Sequence, residues 1–246
     1  MGTIIAVTAA AGMGGTGLGG LAAYLFRRGT DRTVSVLLSF AAGMMLAVVC
    51  ADLTDAIQAG PGLSALPAAS ASVLAGCGGI WLLEELVSGL QAGAKRGGLF
   101  LAGVVMAAAI ALHNLPEGMV IGASYAADLA EAGQDGRMMA LVIGLHNIPE
   151  GMAVAVPLAA GGASRGRAVL TTAAAGAPTV LGAVLGFCLG TMGPGLQMLT
   201  LGGASGAMLY VVFGELLPES FRLCRSPAPV MAAVLGVLTG MGVVLG

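Results

Sequence analysis

Residues 168–214 carry no charged side chain, and neither do residues 56–83. Uncharged runs of that length cannot cover a water-facing surface, since soluble domains carry about 25% charged residues. They do suit a bilayer, whose hydrocarbon core takes about 20 apolar residues per crossing helix. The whole chain follows suit, with 57% hydrophobic residues against 9% charged and a mean hydropathy of +0.96. The expected fold is an all-α integral membrane protein. Forty-two glycines favour helices that approach closely, as small residues allow in lipid. A net charge of −2 without a basic cluster gives no support to a nucleic-acid partner.

Gly, Pro and charged punctuation divide the chain into spans at about 3–26, 34–57, 69–91, 99–125, 138–160, 168–190, 195–217 and 228–246. The connections are short, so residues 1–246 are expected to form a single transmembrane domain of eight helices. The apolar start, "MGTIIAVTAA", has no basic residue ahead of it and reads as the first span. Cys50, Cys77, Cys188 and Cys224 are scattered and read as small apolar fillers. Of the ten Lys and Arg residues, nine fall in loops 1–2, 3–4, 5–6 and 7–8, and Arg137 alone falls on the other side. The positive-inside bias therefore expects a multi-pass inner (plasma) membrane protein with both termini outside the cytoplasm.

Two copies of one element stand 33 residues apart, "HNLPEGM" at 113–119 and "HNIPEGM" at 146–152, and they contain the only two histidines. They occupy consecutive spans and so run antiparallel. A second match aligns "AAGMMLAVVCADL" (41–53) with "ASGAMLYVVFGEL" (204–216) at an offset of 163, setting Met45 on Met208 and Asp52 on Glu215. Pairing spans 1–3 with 6–8, and 4 with 5, gives an inverted 3+2+3 pseudo-symmetry. Inverted repeats of this kind belong to transporters, with the substrate at mid-membrane on the repeat interface.

Within each copy, His and Glu are four residues apart and share a helix face. The intervening Pro116 or Pro149 removes a backbone donor and bends or opens the helix. A carboxylate at mid-bilayer costs about 2.5–3.5 kcal/mol, and Glu117 facing Glu150 adds repulsion. A divalent cation answers both. The mixed N/O donor set of His113, Glu117, His146 and Glu150 suits Zn²⁺, and also Fe²⁺, Mn²⁺ or Co²⁺.

The doubled motif closely resembles the paired motifs on spans four and five of the ZIP (Zrt-, Irt-like protein) divalent metal transporters, in their bacterial branch. The span count and the "AAGMML" start of span two resemble that family as well. The resemblance implies a permease that imports divalent ions, with Zn²⁺ or a similar ion as cargo, no catalytic cofactor and no enzymatic activity. It implies His113, Glu117, His146 and Glu150 as ligands, Asn114 and Asn147 as oxygen ligands of a second ion, and Met45 (with Met44 adjacent) as a thioether facing the pore. It further implies an elevator-like shift and a homodimer. Two features depart from the family pattern. Span six, "AAGAPTVLGAVLG", lacks the carboxylate that often precedes its proline, which puts the second ion in doubt. The 3–4 loop, "AGAKRGG", is short and has no histidine.

Other acids lie within the spans. Asp52 falls toward the outer end of span two, Glu215 toward the inner end of span seven, and Glu84 and Glu85 toward the inner end of span three, positions suited to a cation pathway. Two rival functions use the same His/Glu pairs: an intramembrane metalloenzyme activating water on a bound ion, and a metal-independent proton-coupled carrier.

Overall fold

The computed structural model describes residues 1–25, 31–59, 62–131 and 135–244, and all regular structure among them is helical. Helix α1 (Gly2–Ala9) leads through a π-helical turn (Ala10–Gly14) into α2 (Gly15–Leu25). Then follow α3 (Asp31–Ala59), α4 (Leu66–Glu131), α5 (Asp135–Ala160), α6 (Arg165–Ala175), α7 (Pro178–Thr191) and α8 (Pro194–Val211). A second π turn (Val212–Leu216) joins α8 to α9 (Leu217–Leu223), and α10 (Pro227–Val244) ends the chain. Among the described residues, five helical stretches are long and apolar enough to cross a bilayer: Gly2–Ala23, Asp31–Thr54, Asp135–Ala159, Arg165–Thr191 and Pro194–Leu223. Leu66–Leu82 and Pro227–Gly242 are shorter apolar helices.

The expected break between spans three and four is absent from the hydrogen-bond pattern, because α4 is helical throughout its 66 residues. It is nevertheless not a straight rod. At 1.5 Å per residue, Ala69 and Ala123 would stand about 80 Å apart. Both instead belong to one buried cluster with Ala65, Met198 and Leu201. The run therefore folds back between its N-terminal arm (66–82) and its C-terminal arm (103–131). Pro116 and Pro149 do not end their helices either, and α4 and α5 continue through them.

Polarity is inverted relative to a soluble protein. Leu74, Leu170 and Met192 are each at least 70% exposed, while the side chains of both HN-x-PEG motifs are buried. Lipid on the outside makes this the lower-energy arrangement, since only the interior offers hydrogen-bond partners.

Glycine decides which helices touch backbone to backbone. Gly118 and Gly122 on α4 press against Thr179 and Ala183 on α7, and Gly182 and Gly186 press back on Leu115 and Met119. Gly19 and Gly151 join α2 to α5, while Gly12 and Gly20 bring the first segment against Thr179 and Thr172. These contacts weld α1/α2, the C-terminal arm of α4, α5 and α6/α7 into one bundle. Gly43, Gly236 and Gly240 join α3 to α10, and Gly76, Gly202 and Gly206 join the N-terminal arm of α4 to α8. A hydroxyl clasp then ties α3 to α9. Ser35 Oγ donates to the Ser220 carbonyl (2.7 Å), Ser220 Oγ donates to the Ser35 carbonyl (2.7 Å), and Ser39 Oγ lies 2.6 Å from Ser220 Oγ. Among the described residues, every glycine whose added Cβ would strike another helix does so within one of these two bundles. The boundary between bundles is filled by side chains: Met44, Met45, Val48 and Val49 of α3, Met208 and Val211 of α8, and Val120, Ile121, Val142 and Ile143 of α4 and α5.

The glycine contacts also repeat. Gly118 meets the Thr179 carbonyl as Gly151 meets that of Thr16, and Gly182 meets the Leu115 carbonyl as Gly19 meets that of Ile148. Gly43 meets the Ala233 carbonyl as Gly206 meets that of Val73, and Gly236 meets Phe40 as Gly76 meets Gly203. Each pair of contacts is related by the same shifts: 33 positions between α4 and α5, 163 between α1–α3 and α6–α9, and 160 between the N-terminal arm of α4 and α10.

At Gly118 and Gly78 the packing makes opposite forecasts. Gly118→Ala drives a methyl into the Thr179 carbonyl and is expected to cost about 1–3 kcal/mol through overpacking. Gly78→Ala meets nothing within 4 Å and should stabilise its helix by up to about 1 kcal/mol. Thermal unfolding in detergent, followed by helical circular dichroism, reads both changes.

Candidate metal centre

The two motifs bring their polar side chains to the centre of the first bundle. His146 Nε2 lies 3.0 Å from Glu117 Oε1, and both side chains are 0% exposed. Glu150 completes a group of three whose ligand atoms all fall within 4.8 Å of one another. The i, i+4 spacing sets His146 and Glu150 on one face of α5, and α4 delivers Glu117 from opposite. Glu117 Oε2, both Glu150 oxygens and His146 Nδ1 are buried and have no hydrogen-bond partner among the described residues. Orphaned buried acceptors cost free energy, and two neighbouring carboxylates repel. A donor set of two carboxylates and an imidazole, with lone pairs left over, matches a borderline divalent ion such as Zn²⁺.

His113 stands apart from this group. Its Nε2 lies 3.1 Å from Glu215 Oε1, at the wall of a cavity of about 300 Å³ also lined by Leu38, Met106, Ile110, Glu219 and Arg222. Arg222, from the basic connection before α10, stands at this cavity. Glu215 rides on the π turn, where the Leu217 N–H reaches back to the Val212 carbonyl. Such turns insert one residue and redirect side chains, often at functional sites, and Pro218, which lacks an N–H, follows directly. At the mouth, Arg222 Nε donates to Glu219 Oε2 (2.7 Å).

The asparagines form a knot. Asn114 Nδ2 donates to the carbonyls of Ile110 (2.9 Å) and Ala175 (3.2 Å). Its Oδ1 accepts from Thr179 Oγ1 (2.9 Å) and Asn147 Nδ2 (3.3 Å). Asn147 Nδ2 also donates to the Ala11 carbonyl at 3.3 Å. One amide pair thus fastens α4, α5, α6, α7 and the π turn of the first segment together. Asn114 is fully engaged by protein, whereas Asn147 Oδ1 is buried without a hydrogen-bond partner.

The remaining expected residues are spread out. Met45 and Met44 are both buried, at the bundle boundary rather than against lipid. Asp52 is buried on α3, Glu85 is exposed, and the Glu84 side chain lies outside the described residues. Asp128, in the last turn of α4, accepts from the N–H groups of Asp135 (2.9 Å) and Gly136 (3.1 Å) and so caps α5. Sequence reasoning passed over Thr179 and the Ser35/Ser39/Ser220 clasp. Single hydroxyls in apolar helices usually bond their own backbone, and no local signal separates these from the rest.

A buried cluster of imidazole and carboxylate, held between two lipid-facing helices, defines a multi-pass membrane protein with the donor set of a metal site. A family model described as ZIP Zinc transporter matches residues 84–246, covering both motifs and everything after them. The chain belongs to the ZIP zinc transporter family and is a membrane metal transporter. A search of curated proteins gave no match.

Thr179→Val keeps the shape but removes the donor to Asn114. Loss of one buried hydrogen bond should cost about 1–3 kcal/mol, with an equal drop in the Thr179→Val/Asn114→Ala cycle from either starting point excluded by their direct contact. Unfolding temperatures of the two single variants and the double variant measure the coupling.

Proposed function

We propose that the protein imports Zn²⁺ and chemically similar divalent ions into the cytoplasm through the Glu117/His146/Glu150 group. The observation that carries this reading is the convergence of three fully buried ligand side chains within 4.8 Å. His113 is the fourth ligand by motif, and its contact with Glu215 favours a position on the inner side of the group. The cavity beside Arg222 supports an inward-open conformation, with Glu215 and then Glu219 as the acids met by an ion on its way out. Asn147 offers an oxygen for a second ion. Asn114, saturated by four hydrogen bonds, serves better as a brace than as a ligand.

The repeated glycine contacts support eight spans in an inverted 3+2+3 arrangement, with α4 supplying spans three and four and both termini outside the cytoplasm. Within each bundle the helices are locked by backbone contact, while the boundary between bundles is made of flexible and branched apolar side chains. That contrast favours an elevator-like displacement of the first bundle against the second. A homodimer through the second bundle is consistent with the family and would hold that bundle still. The ion binds deprotonated ligands, so protons released from Glu117 or Glu150 supply a coupling.

The test is uptake of radioactive zinc into proteoliposomes. Glu117→Gln and Glu150→Gln should each lower uptake by about tenfold or more, with both variants still monodisperse and helical. Acidification should weaken uptake by the unsubstituted chain, since protonated carboxylates no longer bind the ion. Wild-type rates in both variants would refute the assignment of the site. Hydrolytic activity that needs the bound ion, without uptake, would instead favour a metalloenzyme.

A further inference from the structure

The shifts that relate the glycine contacts also relate the ion pair of the inner cavity to a second pair. A shift of 33 carries His113 to His146, and a shift of 163 carries Glu215 to Asp52. The image pair is not formed here, since His146 is engaged with Glu117. Two neighbouring features are missing from the image as well. The π turn Val212–Leu216 maps onto residues 49–53, which lie within the unbroken helix α3. Ile110, itself almost wholly buried, lines the inner cavity, whereas its counterpart Ile143 is packed into the core between the bundles. The halves therefore agree in the packing inside each bundle and differ where the bundles meet.

Two clasps make this difference informative. Asn114 and Asn147 tie together the helices that carry the two histidines. Ser35, Ser39 and Ser220 tie together the helices that carry the two acids. The spacing between the histidines and the spacing between the acids are each held, so one relative position of the bundles closes one His–carboxylate pair and parts the other. Asp52 lies seven residues before the end of α3 and His146 eleven residues after the start of α5. At 1.5 Å per residue these are about 10 and 16 Å of helix from the two ends that the inverted pairing sets on one side of the membrane, and a slide of α5 toward that side brings His146 toward Asp52.

We propose that Asp52 is the partner of His146 in the outward-open conformation, and that the His113–Glu215 and His146–Asp52 pairs form alternately, one in each conformation. The inference rests on the transport reading above. In each conformation the histidine drawn away from the central group finds a carboxylate, which avoids a buried imidazole without a partner. A divalent ion then meets the same imidazole–carboxylate chemistry at either mouth. Asp52 is thereby a binding residue of the outer half of the path, as Glu215 is of the inner half.

The experiment uses the full chain with Cys50, Cys77, Cys188 and Cys224 replaced by Ala, reconstituted in liposomes. His113→Cys with Glu215→Cys should be bridged by a short bifunctional thiol reagent (a bis-methanethiosulfonate) that replaces the length of the two lost side chains, and so should His146→Cys with Asp52→Cys. A chain carrying all four cysteines should form either bridge but not both in one molecule, as read by mass spectrometry of the digested protein. Failure of the 146–52 bridge where the 113–215 bridge forms overturns the proposal, and so does finding both bridges together. A second measurement leaves the polar residues untouched: Ile143→Cys should react with a membrane-impermeant thiol reagent added on the side of the acidic 4–5 connection. The absence of that reaction also overturns the proposal. Zinc uptake by the unsubstituted chain is read in parallel. Its absence defeats the transport reading, whereas uptake without the 146–52 bridge defeats this inference alone.

Discussion

A carboxylate can stay within hydrocarbon only if its charge is shared, and this chain buries two of them side by side. Glu117 and Glu150, each 0% exposed, have just one imidazole between them in the group. The rest of the first bundle is arranged around that demand. The glycines bring α4 and α5 against α7 and α2 without intervening side chains. The Asn114–Asn147 knot fixes the rotation of both motif helices, using backbone carbonyls of Ala11, Ile110 and Ala175 as anchors. A group so braced would be preorganised for an ion, with little left to order on binding.

The second bundle answers a different need. Its contacts are as close, yet the face it presents to the first bundle is Met44, Met45, Val48, Val49, Met208 and Val211. Backbone contact in lipid gains from van der Waals packing and resists displacement. A boundary of methionine and valine makes no hydrogen bond that a slide would have to break, and thioether side chains adapt to changed surroundings at small cost. The His113–Glu215 contact is a polar link across that boundary. Its partner Glu215 sits on a π turn, a local register defect able to shift without unfolding the helix.

Much of this was legible in the residues. The doubled HN-x-PEG element marked the helices that carry the buried polar group, and the offset of 163 between 41–53 and 204–216 carries the Gly43–Ala233 contact onto the Gly206–Val73 contact. What stayed hidden has physical reasons. The fold-back of α4 leaves no break in helical hydrogen bonding, so the connection that glycine and charge punctuate there is a reversal within one helical run rather than a loop. The motif treats His113 and His146 as equals, and only tertiary position sends one to Glu215 and the other to Glu117. Asn114 looked like a ligand because its amide oxygen is a good one. Its saturation by Thr179 and Asn147 depends on a threonine 65 positions away. The serine clasp spans 185 positions and has no period to betray it.

The inequality of the two histidines is the most informative of these surprises. Two near-identical motifs related by inversion would make a static site symmetric, with both imidazoles in equivalent surroundings. Here one lies inside the closed group and the other at the wall of an open cavity. On the transport reading proposed above, equal sequence with unequal structure is what two arrangements of similar energy would give, with the chain seen in one of them. An element with two such arrangements is what population shift between conformations requires. The neighbourhood of His113 is therefore a record of how His146 is placed when the other arrangement prevails, and the sequence identity of the motifs is what entitles one to stand for the other.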